Sequence, residues 1–131
     1  MKALVVDDDI TTRIVLQEVL SNYAEVSICT DGAEAVEACN RALDQGGPYD
    51  LICMDLTMPN MGGLEALQRI RQSEERHGHL RSSAAKVIIT TASNDACTIS
   101  KAFQELCDAY VVKPIDRADF LNILYCLCPI G

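Results

Sequence analysis

LICMDLTMPNMGGLEALQRI, residues 51–70, holds a complete strand, loop and helix in twenty positions. Leu51–Met54 is an unbroken apolar run of strand length, with no polar alternation, as expected for a strand covered on both faces. Asp55 ends the run. Pro59 and the pair Gly62-Gly63 break the chain, and Leu64, Leu67 and Ile70 then recur at the i, i+3 spacing of a helix with one face inward. The same strand-then-helix reading repeats on both sides. Upstream lie the runs Ala3–Val6 and Val26–Cys29, and downstream Val87–Ile89 and Tyr110–Val112.

Four more amphipathic stretches separate or follow these runs: Leu16, Val19, Leu20 and Tyr23; Ala35, Val36, Cys39, Ala42 and Leu43; Ile99, Ala102, Phe103 and Leu106; and Phe120, Ile123, Leu124 and Leu127. Helix starts are marked by Asp31-Gly32, Gly62-Gly63 and Ser93-Asn94-Asp95. DQGGPYD breaks the chain before the third strand, and SEERHGHLRSSAAK reads as a long polar connection before the fourth. Five β–α units in alternation predict an α/β fold, a doubly wound parallel sheet with helices on both faces. At 131 residues and 49% hydrophobic, the chain is expected to form one domain over 1–131.

Composition narrows the function. Eleven Lys and Arg against nineteen Asp and Glu give a formal charge of −8, the wrong sign for gripping nucleic acid by its phosphates. No run reaches the length of a membrane span, and the opening MKALVVDDD turns acidic at once, unlike a signal peptide, so a cytoplasmic location is expected. The seven cysteines include no Cys-x-x-Cys pair, and His77 and His79 lie in the polar connection. Reduced, mostly buried thiols are expected rather than disulfides or a zinc site.

In a doubly wound sheet, ligands bind at the edge where strands end. The first strand ends in Asp7-Asp8-Asp9, the third in Asp55, the fourth in Thr90-Thr91 and the fifth in Lys113-Pro114. Strand alternation lets only one of the two threonines face the site. Carboxylates gathered at one rim repel unless a cation joins them, and an all-oxygen set suits Mg²⁺. A lysine and a hydroxyl opposite the ion would bind phosphoryl oxygens, giving a phosphoryl-transfer site with a carboxylate nucleophile.

LVVDDD, LICMDLTMPNMGGLE, VIITTAS and AYVVKP together resemble the four signature segments of the response-regulator receiver domain of two-component signalling, in order along the chain. The resemblance implies a flavodoxin-like sheet of order 2-1-3-4-5. It implies Asp55 as phosphoacceptor, Asp8 as a direct Mg²⁺ ligand, Asp7 as a ligand largely through water, and the Thr57 backbone carbonyl as a further ligand. Thr91 would be the switch hydroxyl, Lys113 the phosphoryl-pairing lysine, Tyr110 the switch aromatic, and Pro114 would follow a cis peptide bond. Thr57 and Ser93 fall where the family tunes the lifetime of the phosphorylated state. The implied donor is a histidine kinase or phosphotransfer protein, and the chemistry is limited to self-phosphorylation and self-dephosphorylation. Three departures touch the output surface and the connections: Ile115 where Phe is common, Cys107-Asp108-Ala109 where Gly-Ala is usual, and the long polar connection from Ser73 to Lys86.

Two other functions fit parts of the pattern. VVDDDIT matches the Asp-x-Asp-x-Thr of haloacid-dehalogenase phosphatases, with Asp7 as nucleophile and Asp9 as acid/base, but leaves Asp55 unexplained. A receiver-like module that only binds partners would be expected to have lost some of these residues. The last helix is apolar nearly all round, so Leu121, Tyr125 or Cys128 is expected to meet a homodimer mate or an output partner. No basic helix-turn-helix follows, so direct nucleic-acid binding is not expected.

Overall fold

The run at 51–54 becomes the middle strand of a five-stranded parallel sheet in a computed structural model that describes residues 1–79, 83–92, 100 and 107–128. The elements are β1 (Lys2–Val6), α1 (Ile10–Leu20), β2 (Glu25–Cys29), α2 (Gly32–Asp44), β3 (Leu51–Asp55), α3 (Gly63–Arg76), β4 (Lys86–Thr91), β5 (Ala109–Val112) and α4 (Arg117–Leu127). The sheet order is β2-β1-β3-β4-β5, as the resemblance implies. The expected helix around Ile99–Leu106, its start at Ser93-Asn94-Asp95, and Cys97 lie outside the described residues.

Alternation along the strands splits the core into two layers. Leu4, Val6, Ile52, Met54, Val87 and Ile89 pack with residues of α2 and α3. Ala3, Val5, Leu51, Cys53, Ile88 and Val111 pack with Leu16 and Leu20 of α1 and Phe120 and Leu124 of α4. The three inner strands, β1, β3 and β4, are therefore covered on both faces, which is why their runs carry no polar alternation. The two edge strands, β2 and β5, are partly exposed along their length.

Three helix starts are built by aspartates. Asp9, Asp31 and Asp116 stand at the N-caps of α1, α2 and α4, and their side chains accept from the backbone N–H of Thr11, Glu34 and Asp119. α3 starts differently, against the end of β3. A Cβ on Gly63 would collide with the Asp55 backbone carbonyl, so only glycine allows the helix to begin so close to the strand end. The turn between them uses Asn60 at φ 67°, and its amide donates to Asp31 Oδ2 at 3.0 Å.

The polar connection is shorter than the sequence suggests. α3 continues to Arg76, so Ser73–Arg76 are helical, and Ser73 and Glu74 are buried. Arg71 is the reason. Its guanidinium donates to Glu74 Oε1 and to the Ala85 carbonyl, both at 2.8 Å, and reaches Asp108 Oδ2 at 3.3 Å. The carboxylates in turn accept from the backbone of Ala85 and Val87. Asp108, one of the departures noted above, thus ties the start of β5 to β4 and α3.

The last helix departs from expectation at one residue, Cys128. Phe120 and Leu124 are its fully covered residues, whereas Tyr125 is half exposed and stands edge-on to Tyr23 in the turn after α1. Cys128, expected to be available to a partner, is buried in the core layer beside α1. The described cysteines are all free thiols, and Cys126 is the exposed one among them.

Candidate functional site

The carboxyl ends of β1, β3, β4 and β5 lie side by side, and the chain places Asp7, Asp55, Thr91 and Lys113 at or just past those ends. Asp7 is fully buried. Its N–H continues the β1–β2 ladder to the Cys29 carbonyl at 3.1 Å, and its Oδ1 accepts from Asp9 N at 2.8 Å. Asp55 is buried as well, and its Oδ1 takes the Thr57 N–H at 3.3 Å. Lys113 joins the two. Its Nζ is 2.9 Å from Asp7 Oδ2 and 3.2 Å from Asp55 Oδ2.

The two contacts differ in kind. Lys113 donates an aligned hydrogen bond to Asp55, whereas at Asp7 the ammonium is close without that alignment, so Asp7 Oδ2 is buried with no hydrogen-bond donor among the described residues. Burial, and then the Asp7 charge, push the Asp55 carboxyl above the ordinary range, and Lys113 offsets only part of this. For Lys113 burial opposes the charge, but the two carboxylates outweigh it and raise the ammonium above its ordinary value.

A third acid completes an anionic rim. Ligand oxygens of Asp7, Asp8 and Asp55 lie within 4.8 Å of one another, with Asp8 exposed at the mouth. Three carboxylates, no imidazole or thiolate, and a buried carboxylate oxygen left without a donor suit a hard divalent cation such as Mg²⁺. Asp9 does not share this role. Its oxygens are engaged by the Thr12 hydroxyl at 2.8 Å and the Thr11 N–H at 3.2 Å, which hold its carboxyl below the usual range. A carboxylate locked as a helix cap is a poor acid/base, which removes the partner that the phosphatase reading needs.

The family model described as the response regulator receiver domain matches residues 3–125. The chain belongs to that family. Among receivers of known sequence it is 32% identical over 123 residues to the chemotaxis protein CheY of Treponema pallidum, covering 92% of this chain and 78% of that protein. It is 31% identical over 138 residues to a probable histidine kinase 2 of rice (Oryza sativa subsp. indica), covering 98% of this chain but 13% of the kinase. The receiver thus spans a small part of the length of such kinases. Among solved structures, the receiver domain of the histidine kinase CKI1 from Arabidopsis thaliana, complexed with Mg²⁺ and BeF₃⁻, superposes with a TM-score of 0.78 at 28% identity, over 93% of this chain and 88% of that one. A chain of the co-crystal structure of the Saccharomyces cerevisiae phosphotransfer protein Ypd1 and the receiver domain of Ssk1 gives 0.81 at 26% identity, over 98% and 89%. The family is one of signalling domains.

The remaining residues singled out in the sequence fall as follows. The Lys113–Pro114 peptide is cis, as expected. Thr91 is buried and its carbonyl accepts from Lys113 N at 2.7 Å, so the strand that carries it also anchors the lysine's backbone. Thr57 is exposed beside Asp55, and Tyr110 is partly exposed on β5. Ser93 lies outside the described residues.

Sequence reasoning set Thr90 aside in favour of Thr91 and missed Ile10 and Ile14. Thr90 is fully buried and is the register partner of Asp55. Ile10 and Ile14, one turn apart on α1, are 62% and 48% exposed near the rim. Their signal was present, since both fall off the Thr12, Leu16, Val19 and Leu20 stripe that faces the sheet.

Proposed function

We propose that this receiver takes a phosphoryl group on Asp55 from the phosphohistidine of a histidine kinase or phosphotransfer protein. One observation carries the reading: Lys113 bridges Asp7 and Asp55 at a rim where three carboxylates converge. A carboxylate oxygen of Asp55 attacks phosphorus, the O–P bond forms, and the P–N bond breaks with its electron pair going to the imidazole. The Lys113 ammonium turns from the free carboxylate to the phosphoryl oxygens, and the Thr91 hydroxyl donates to another of them. Asp7, Asp8, Asp55 and the Thr57 carbonyl would hold Mg²⁺, which when bound neutralises charge on the phosphoryl group. Positioning and charge supply the rate, since no general base is needed to activate a carboxylate already ionised.

The added charge draws Thr91 inward, and Tyr110 follows as the switch aromatic. Ile10 and Ile14 are suited to the apolar contact with the donor protein, because they are exposed on the first turns of the helix that starts directly after Asp7, Asp8 and Asp9. Output would use β5 and α4. The domain would work in the cytoplasm; among the described residues no helix is long and apolar enough to cross a membrane.

The test is labelling by a small phosphodonor such as acetyl phosphate. The parent protein takes up label with Mg²⁺ and not with chelator, and Asp55→Asn abolishes it. A parent that takes no label under any condition would support a binding-only module and overturn the proposal. Label lost in Asp7→Asn but retained in Asp55→Asn would move the nucleophile to Asp7.

A further inference from the structure

We infer that Thr90 is a positioning residue for this reaction, its buried hydroxyl donating to the Asp55 carboxyl group and thereby shortening the life of the acyl phosphate. The inference rests on Asp55 being the acceptor. Thr90 and Asp55 are paired directly across the parallel β3–β4 ladder. Register partners project to the same face of a sheet. The face is the one toward α1 and α4, because Cys53 and Ile88, two residues back on each strand, both pack in that layer. Thr90 is 0% exposed, and its Oγ1 has no hydrogen-bonding partner among the described residues.

An unpaired hydroxyl in an apolar layer is unfavourable, and valine would fill the same space without that penalty. Its neighbours across the ladders are Asp55 on one side and Val111 on the other. Of these two side chains, only that of Asp55 can accept. Adjacent strands are about 4.8 Å apart, so rotation about χ1, which exchanges the methyl and hydroxyl, brings the hydroxyl within reach of the carboxylate. Asp55 has room for it. Its oxygens hold one N–H from Thr57 and one from Lys113, while each has two lone-pair positions.

The consequence is directional. In hydrolysis a water oxygen bonds to phosphorus and the P–O bond to Asp55 breaks. The electron pair returns to the carboxylate, and the water's protons leave with orthophosphate. A donor on Asp55 stabilises the charge that returns, so it speeds loss of the group. In formation the same donor holds the ionised nucleophile back. Thr90 therefore favours the free carboxylate in both directions.

The experiment compares the parent with Thr90→Val, Thr90→Ala and Thr90→Ser, following label from acetyl [³²P]phosphate and then its decay after donor removal. Melting of each unlabelled protein in chelator reports fold. Valine and alanine should lengthen the half-life by about three- to ten-fold, the worth of one hydrogen bond, with initial labelling no slower than in the parent. Serine, which keeps the hydroxyl, should stay within about two-fold of the parent. Equal half-lives in the parent and whichever of the valine or alanine variants melts cooperatively would overturn the inference. So would label lost from those variants but kept by the parent, or a serine variant behaving like valine. If the parent itself takes no label, the acceptor assignment fails instead.

Discussion

Lys113→Met removes the cation that forms ion pairs with two buried carboxylates, at 2.9 Å and 3.2 Å, and the size of the effect can be worked from the site. Asp7 and Asp55 would then face each other with side chains 0% and 7% exposed. Removing one partner of a buried ion pair typically costs about 3–5 kcal/mol. The site has an escape, because Asp55 can take up a proton. For a carboxyl starting from 3.8, protonation at pH 7 costs about 4 kcal/mol, and at pH 5 about 1.6 kcal/mol. The loss should therefore be about 3 kcal/mol at pH 7 and no more than about 1.6 kcal/mol at pH 5.

The sign follows from proton binding. Asp55 has a folded-state pKa above its unfolded value, so over the window above 3.8 the folded protein holds more protons than the unfolded one, and this carboxyl's contribution to stability falls as pH rises. Taking away Lys113 widens that window. Urea denaturation of parent and variant in chelator, at pH 5 and pH 7, measures both values. A loss that is the same at the two pH values, or under about 0.5 kcal/mol at pH 7, would refute the coupling of Lys113 to the two acids.

Three further outcomes are expected. Gly63→Ala forces a Cβ into the Asp55 carbonyl, and should lower stability by about 2 kcal/mol or more and perturb the acceptor's backbone amide resonances. Arg71→Met strands the buried Glu74 carboxylate and the half-buried Asp108, and should cost about 3 kcal/mol in chemical denaturation while leaving labelling at Asp55 intact. His77 is raised above 6.5, first by the Ser73 carbonyl and then by Asp44 at 2.8 Å, so its contribution is present at low pH and lost as pH rises through the folded-state value; Asp44→Asn should move its NMR titration back toward 6.5.

What the sequence determined by itself is whatever depends on local pattern. Doubly buried strands must be apolar throughout, so β1, β3 and β4 were legible to within a residue or two, β5 was legible as a short apolar run, and the acids, hydroxyls and lysine that end these strands stood out against them. Asp31 was readable as a cap for the same reason, since capping is chemistry between near neighbours in the chain. Pairing across the sheet was not local, and only the tertiary structure decided it. That Ser73 and Glu74 belong to a helix depends on Arg71 and Ala85 enclosing Glu74, which no periodicity reveals. That Cys128 is covered and Ile10 is not depends on which face of α4 and α1 meets the sheet. Above all, the sequence set Thr90 and Thr91 side by side with equal chemistry. The β3–β4 register alone put Thr90 beside Asp55, because a one-residue change in pairing would send every side chain of the strand to the opposite face.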